Sequence, residues 1–450
     1  MSSTSIPDTL PADARSQARA KRTWVAAFAS AAVLPLAAVL VAAPRSGHGF
    51  VTELASALGI VALSLLALQL VLPARLPALA GALGADAALR LHRHLADVVV
   101  AAIAAHVASV LVADPSDLAL LDPLGAPWRA KAAVASCAAL AALIAGSLLR
   151  RRLGPAYSRW RGLHLALAVA AFVLGALHAL GVAQYLDSPA GLPLAALGAL
   201  GLVALSELRL LRPRRLARRP YVIERVVAER GGAASLALRA DGHRGRPFRP
   251  GQYAWLKLAD APHALAEHPF SYSSSATHPW RPSFTIKAYG GFTRRVLELR
   301  PGTRVLLDGP HGSYNARPDA ERFVLIAGGI GITPIISLLR TAAETFDRRP
   351  YLLVYGSPRW EDVTFREELE RLRRRIDLRI VHVLSEPPSG WLGETGFIDS
   401  ALISRHLPPD LHDADIFACG PLPMLSAALT GLERLGVAPE HVHTEQFVTV

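Results

Sequence analysis

Cysteine is scarce in this 450-residue chain: there are two, Cys137 and Cys419. One falls in an apolar run and the other in the polar half, so no disulfide framework can be drawn. The polar half therefore suits a reducing compartment. Lysine is nearly missing as well, with four residues at positions 21, 131, 257 and 287. The net charge of +12 is thus carried by arginine. A basic balance is one signature of nucleic-acid binding, but these arginines cluster beside apolar runs, and no nucleic-acid partner is expected. Internal repeats of solenoid period are absent too.

What the chain has in abundance is apolar sequence, 52% of its residues, crowded into residues 24–211. Six runs, roughly 24–43, 51–72, 88–113, 130–149, 160–183 and 191–211, are long enough to cross a bilayer. The first exceeds the apolar core of about 7–15 residues in a signal peptide. It reads as a span preceded by a polar, disordered tail. Arg15, Arg19, Lys21 and Arg22 flank the first run; Arg150, Arg151, Arg152, Arg159 and Arg161 lie between the fourth and fifth; Arg209, Arg212, Arg214, Arg215, Arg218 and Arg219 follow the sixth. By the positive-inside rule both termini and the connection holding Arg75 are cytosolic. The connection Asp114–Trp128, with Asp114, Asp117 and Asp122, faces outward. A multi-pass protein of the cell inner (plasma) membrane is predicted.

After an Arg/Pro linker at Arg212–Pro220, short alternating strands appear at Tyr221–Glu229, Ser235–Arg239, Tyr253–Leu258, Ser283–Ala288 and Thr303–Asp308. That pattern suits a small β-barrel. From Arg322, strands (Phe323–Ala327, Tyr351–Tyr355, Arg379–Leu384, Asp415–Ala418) alternate with helices (Pro334–Phe346, Thr364–Arg375, Leu422–Leu435), which argues a parallel α/β sheet. The predicted organisation is a tail over 1–21, a six-helix transmembrane bundle over 22–212, a β-barrel domain over 213–318 and an α/β domain over 319–450.

Four histidines lie inside apolar runs. His92 and His106 share the third run, His164 and His178 the fifth, and each pair is 14 residues apart. Fourteen residues is close to four helical turns and a rise of about 21 Å, so both members of a pair face one way. Intramembrane ionisable residues are costly and usually functional. Two such helices side by side give two His–His sites, one above the other, which suits two bis-histidine haems. The charge clusters place His92 with His164 nearer the cytosol and His106 with His178 nearer the outside. His94 sits off the shared face by about 120° and is set aside. Phe172 lies between the two levels, either as a bridge for electrons or as an ordinary packing aromatic.

The polar half contains His268-Pro269-Phe270-Ser271-Tyr272-Ser273, which resembles the flavin-binding strand of the ferredoxin–NADP reductase superfamily in its ferric reductase and NADPH oxidase form. Thr285–Thr293 resembles the second FAD segment. Within it Lys287 can pair with a pyrophosphate, and the adjacent glycines Gly290 and Gly291, followed after Phe292 by Thr293 opening a helix, make an anion site. Gly309-Pro310-His311-Gly312 resembles the family's GP[FY]G turn, with His311 departing from the usual aromatic. Ala327–Pro334 follows a strand and opens a helix, so Gly329 and Gly331 can bring backbone to a phosphate, with Thr333 and Pro334 behind them. It is not G-x-G-x-x-G, and its weight comes from Cys419-Gly420-Pro421 recurring after a later strand. Glu445-Gln446-Phe447 resembles the family's ending. Trp160–His164 and His92-Arg93 resemble the fifth and third spans of the ferric reductase transmembrane domain, with Ala96-Asp97 departing where a glycine is common.

The resemblance implies electron transfer from NAD(P)H through FAD and two haems b to an acceptor outside. That acceptor is oxygen, giving superoxide, or ferric iron, or a periplasmic protein partner. It places Ser271 near the flavin N5, Cys419 near the nicotinamide and Phe447 over the ring. The second strand of the α/β domain ends in Ser357-Pro358-Arg359, with no acid to hold a ribose 2′-OH. Ser357 and Arg359 can accept a 2′-phosphate, so NADPH is favoured over NADH. A haem-free, membrane-anchored NAD(P)H:flavin diaphorase is the rival reading, and a haem-free spectrum would favour it.

Overall fold

A computed structural model describes residues 12–42, 48–74, 85–150, 157–182, 191–259, 267–289, 291–312, 320–408 and 411–446. Arg75, Arg151, Arg152 and Phe447 lie outside them. The chain divides into two compact units, Met1–Arg212 and Pro213–Val450.

All six apolar runs of the first unit are helical, at Ala12–Ala42, Phe50–Val71, Ala85–Ala113, Trp128–Leu148, Tyr157–Val182 and Leu192–Ala217. The first helix begins at Ala12, inside the stretch expected to be disordered. Its Ala, Arg, Gln and Lys are strong helix formers that extend the span backwards. The expected linker is helical as far as Ala217, in spite of Pro213. A proline removes one i→i−4 hydrogen bond and crowds the preceding turn. Here a wider π-turn at Glu207–Leu211 lies just before it, a usual way for a helix to absorb such a defect.

The second helix is the most buried, with half of its apolar stretch inside. It packs against the first, third, fifth and sixth, while the fourth packs along the fifth. Phe172 is buried in the core this creates, among Leu63, Leu194 and Leu197.

The second unit opens with a six-stranded antiparallel sheet in the order β4-β3-β6-β1-β2-β5. Its strands are β1 Tyr221–Glu229, β2 Ala233–Ala240, β3 Tyr253–Leu258, β4 His268–Ser271, β5 Ser283–Lys287 and β6 Arg304–His311. A Tyr272–Phe284 bridge joins the two edges and nearly closes a barrel. The inward residues Leu236, Leu238, Leu256 and Phe284 are fully buried, as alternation requires.

A second sheet, wholly parallel, runs β10-β9-β8-β7-β11-β12. Its strands are β7 Arg322–Gly328, β8 Tyr351–Ser357, β9 Leu378–Leu384, β10 Glu394–Thr395, β11 Ala414–Gly420 and β12 Val442–Gln446. Helices Ile332–Glu344 and Leu422–Arg434 lie among its crossovers. The sequence patterns missed β10, β12 and the short helix Ser400–His406, although Asp399 caps that helix by accepting from the Leu402 N–H at 2.7 Å. The carboxyl ends of β7, β8, β9 and β11 gather Gly328, Ser357, Leu384 and Gly420 at one edge, where ligands of open α/β sheets bind.

Candidate redox sites

In the membrane unit the histidines meet in the expected pairs. The ring centroids of His92 and His164 are 6.4 Å apart, and those of His106 and His178 are 6.3 Å apart. An imidazole nitrogen ligates a metal at about 2.0–2.1 Å, so one ion fits between two rings whose centroids are roughly 6 Å apart. Both pairs fall on that spacing. Among the described residues, the third and fifth helices meet through these side-chain pairs with little close backbone packing between them.

Hydrogen bonds fix the tautomers. His106 Nδ1 lies 2.7 Å from the Ala55 carbonyl and His178 Nδ1 lies 3.0 Å from the Arg129 carbonyl. A carbonyl can only accept, so both Nδ1 atoms carry the proton. The Ser147 hydroxyl donates to the Leu143 carbonyl at 2.8 Å, which uses its one hydrogen. At 3.2 Å from His164 Nδ1 it must therefore accept. In all three histidines the lone pair is left on Nε2, the form a metal needs. Gly59 of the second helix leaves room for the His106 ring: a Cβ there would stand 3.1 Å from it. His94 is exposed beside the intermediate His92, in keeping with its being set aside. Trp160 packs on His164 with centroids 5.1 Å apart, and Arg150 covers Trp160 at 4.8 Å.

In the second unit, β4 places His268, Pro269, Phe270 and Ser271 beside β3, in register with Leu256, Trp255, Ala254 and Tyr253. Pro269 is exposed while Ser271 is buried. The Ser271 hydroxyl donates to Glu445 Oε2 at 3.2 Å, and Glu445 is the register partner of Cys419 across β11 and β12. Strands β4, β11 and β12 thus bring Ser271, Glu445 and Cys419 together. Burial, with the Glu445 carboxylate adding to it, pushes the Cys419 thiol well up, so the thiol stays protonated. Glu445 was read only as part of the ending; its pairing with Ser271 depends on β12, which the patterns missed.

Gly331 touches the same place. A Cβ on it would lie 2.1 Å from the Cys419 carbonyl oxygen, so only glycine fits. Gly329 to Gly331 form a 3₁₀ turn leading into Ile332–Glu344. Thr333 donates back to the Ile330 carbonyl at 3.1 Å, and Pro334 is buried in the first turn. Gly420 and Pro421 continue from Cys419 and face Gly328. Lys287 ends β5 with its ammonium 5.8 Å from the Tyr289 ring. The helix after it starts at Gly291 with Phe292 next. Thr293, expected to open the helix, instead accepts from the Tyr289 N–H at 3.0 Å one turn back. Arg359 is paired with Glu386 at 2.8 Å, so an incoming phosphate would compete with a carboxylate.

Arg340 also escaped the sequence reading. On helix Ile332–Glu344, it bonds Glu368 with both Nε and Nη2 at 2.7 Å, and it donates from Nη1 to the Ser273 carbonyl in the loop after β4. One turn earlier Ser337 donates to the Ser274 carbonyl at 2.6 Å, and the Ala276 N–H donates to Thr341 at 3.0 Å. One face of this helix therefore clamps the loop that follows the candidate flavin strand.

Residues 58–175 match the family described as ferric reductase like transmembrane component, and residues 325–430 match the oxidoreductase NAD-binding domain. NADH-cytochrome b5 reductase 1 of Arabidopsis thaliana is 33% identical over 178 residues, 38% of this chain and 63% of that protein. The propane 2-monooxygenase reductase component of Rhodococcus jostii is 32% identical over 225 residues, 48% of this chain and 60% of that protein. The chain thus spans less than two thirds of either relative. Among solved structures, a ferredoxin reductase in carbazole 1,9a-dioxygenase is 26% identical, covering 51% of this chain and 69% of its own, with a TM-score of 0.46.

Proposed function

From a ferric reductase like transmembrane component joined to an oxidoreductase NAD-binding domain in one chain, we propose a transmembrane electron-transfer enzyme that oxidises cytosolic NAD(P)H and reduces an acceptor outside. The acceptor is oxygen or ferric iron, with a periplasmic redox protein as the third candidate. The observation that carries this reading is the pair of histidine couples at 6.4 and 6.3 Å, which suits two haems b held by His92 with His164 and His106 with His178. When bound, FAD takes a hydride and releases electrons singly, and the haems carry them across the bilayer.

The rest is the work of this chain's residues. His268, Pro269, Phe270 and Ser271 line the flavin edge of the barrel, and Lys287 with the turn at Gly291, Phe292 and Thr293 holds its diphosphate. Gly329, Gly331, Thr333 and Pro334 hold the nicotinamide cofactor's diphosphate at the end of β7. Cys419, Gly420 and Pro421 would position the nicotinamide, and Phe447, which lies outside the described residues, is the residue proposed to cover the flavin ring. Glu445 fixes the Ser271 hydroxyl through their hydrogen bond. NADPH is the proposed donor, with Arg359 on the 2′-phosphate; Arg359→Ala should lower the NADPH-to-NADH preference, and an unchanged preference rules that role out.

The test supplies NADPH to purified, haem-loaded protein and follows superoxide with and without ferric citrate. Reduction of either acceptor is expected; reduction of neither overturns the assignment.

A further inference from the structure

The four membrane histidines are not anchored alike. The outer-level pair, His106 and His178, is held by the main-chain carbonyls of Ala55 and Arg129. His164 is held by a side chain, the Ser147 hydroxyl. His92 Nδ1 is buried without a hydrogen-bond partner among the described residues. The same tautomer at His92 requires an acceptor for its Nδ1–H.

One acceptor is orphaned nearby. Gln69 of the second helix donates through Nε2 to the His92 main-chain carbonyl at 2.9 Å, and its Oε1 is also buried without a partner. A buried donor and a buried acceptor left unpaired are each costly, since neither recovers the hydrogen bond it lost from water. Here they sit on two residues already bonded to each other. The terminal torsion of a glutamine is soft, so its oxygen can swing while the amide stays on the same residue.

Helix roles follow a common rule. The second helix supplies the partner of one third-helix histidine from Ala55 and carries Gln69 beside the other. The fourth helix supplies the partners of both fifth-helix histidines, from Arg129 and Ser147. Ser64 and Ser56 of the second helix donate to their own helix's carbonyls.

Resting on the proposed haem sites, we infer that Gln69 is the positioning residue for His92, its Oε1 accepting from Nδ1–H, so that the His92–His164 pair is set by two side chains, Gln69 and Ser147. The His106–His178 pair is set by main chain alone. A hydrogen-bonded imidazole is a stronger donor to a metal. Losing either side chain should therefore raise the midpoint potential of one haem and leave the other in place.

The experiment is a potentiometric titration of full-length, haem-loaded protein, with haem content and low-spin electron paramagnetic resonance spectra read alongside. Gln69→Leu and Ser147→Ala should each shift the same single potential upward and alter one of two low-spin signals. Gln69→Glu, which keeps an acceptor oxygen at the same reach, should hold that potential at or below the wild-type value. Haem retention at that site should weaken about 10–100-fold in Gln69→Leu. Should Gln69→Leu fail to fold, Gln69→Glu and Ser147→Ala still decide the matter. Two haems present with both potentials unmoved in every variant, or the two side chains moving different haems, overturns the inference alone. A folded wild-type protein that binds no haem overturns the proposed function, and this inference with it.

Discussion

Arg340→Ala removes the guanidinium that ties helix Ile332–Glu344 to both Glu368 and the Ser273 carbonyl. The Arg340 and Glu368 side chains are 22% and 24% exposed, which places the pair between the two regimes for ion pairs. Exposed pairs contribute about 0–1 kcal/mol, and breaking a buried one costs about 3–5 kcal/mol because a charge is left behind. A loss of about 2–3 kcal/mol is expected for Arg340→Ala, interpolated from those limits. For a unit of this size that is a fall in melting temperature of about 5–10 °C. Arg340→Lys recovers only part, since an ammonium cannot repeat the forked contact. The functional effect is larger than the thermal one. Ser273 follows the candidate flavin strand by two residues, so loosening the clamp shifts Ser271 relative to Cys419. A displacement near 1 Å between reacting groups costs about 100-fold in rate. The assay is stopped-flow flavin reduction by NADPH in the full chain, beside thermal melting with flavin content measured. Flavin retained, melting lowered and reduction slowed at least tenfold is the expected result. Unchanged melting and an unchanged reduction rate refute the reasoning.

Other outcomes follow from single contacts. His382 is half-buried against Trp360 and Tyr355, and loss of solvent lowers its pKa to about 4. Its stabilising neutral form is fully present above its unfolded value near 6.5 and is lost as pH falls toward 4, a change of at most about 3 kcal/mol; His382→Phe should flatten the acid limb of a stability-versus-pH curve between those values. Gly331→Ala drives a Cβ to 2.1 Å from the Cys419 oxygen, so NADPH KM should rise at least tenfold, read by steady-state kinetics with ferricyanide as acceptor. Glu445→Gln keeps the Ser271 bond but removes the charge, and should slow flavin reduction in stopped flow while leaving flavin content unchanged.

Much of this was legible in the chain because it is local. Histidines 14 residues apart on two apolar runs declare one helix face each, and the pairing needs only that the two helices be neighbours. The turns at Gly329–Gly331 and Cys419–Pro421 are legible for the same reason. Glu445, Arg340 and Gln69 were not, because their roles are made by distant partners. Glu445 reaches Ser271 across 174 positions, through a strand too short and polar to stand out. Arg340 is one arginine in a chain crowded with them, and nothing near it names Ser273 or Glu368. Gln69 is a single amide in an apolar run, visible only once the His92 carbonyl is placed against it. The helical stretches at Ala12 and Arg212–Ala217 were missed because charge and proline signal breaks, whereas both simply continue helices already formed.

The most direct test of the central claim is an anaerobic absorbance record of the purified full-length protein as NADPH is added. Bleaching of a flavin band should be followed by the sharpened bands of reduced b-type haem, two haems per chain, with the haem bands lost in a variant lacking all four histidines. Flavin bleaching in a folded wild-type protein that shows no haem band at all would contradict it.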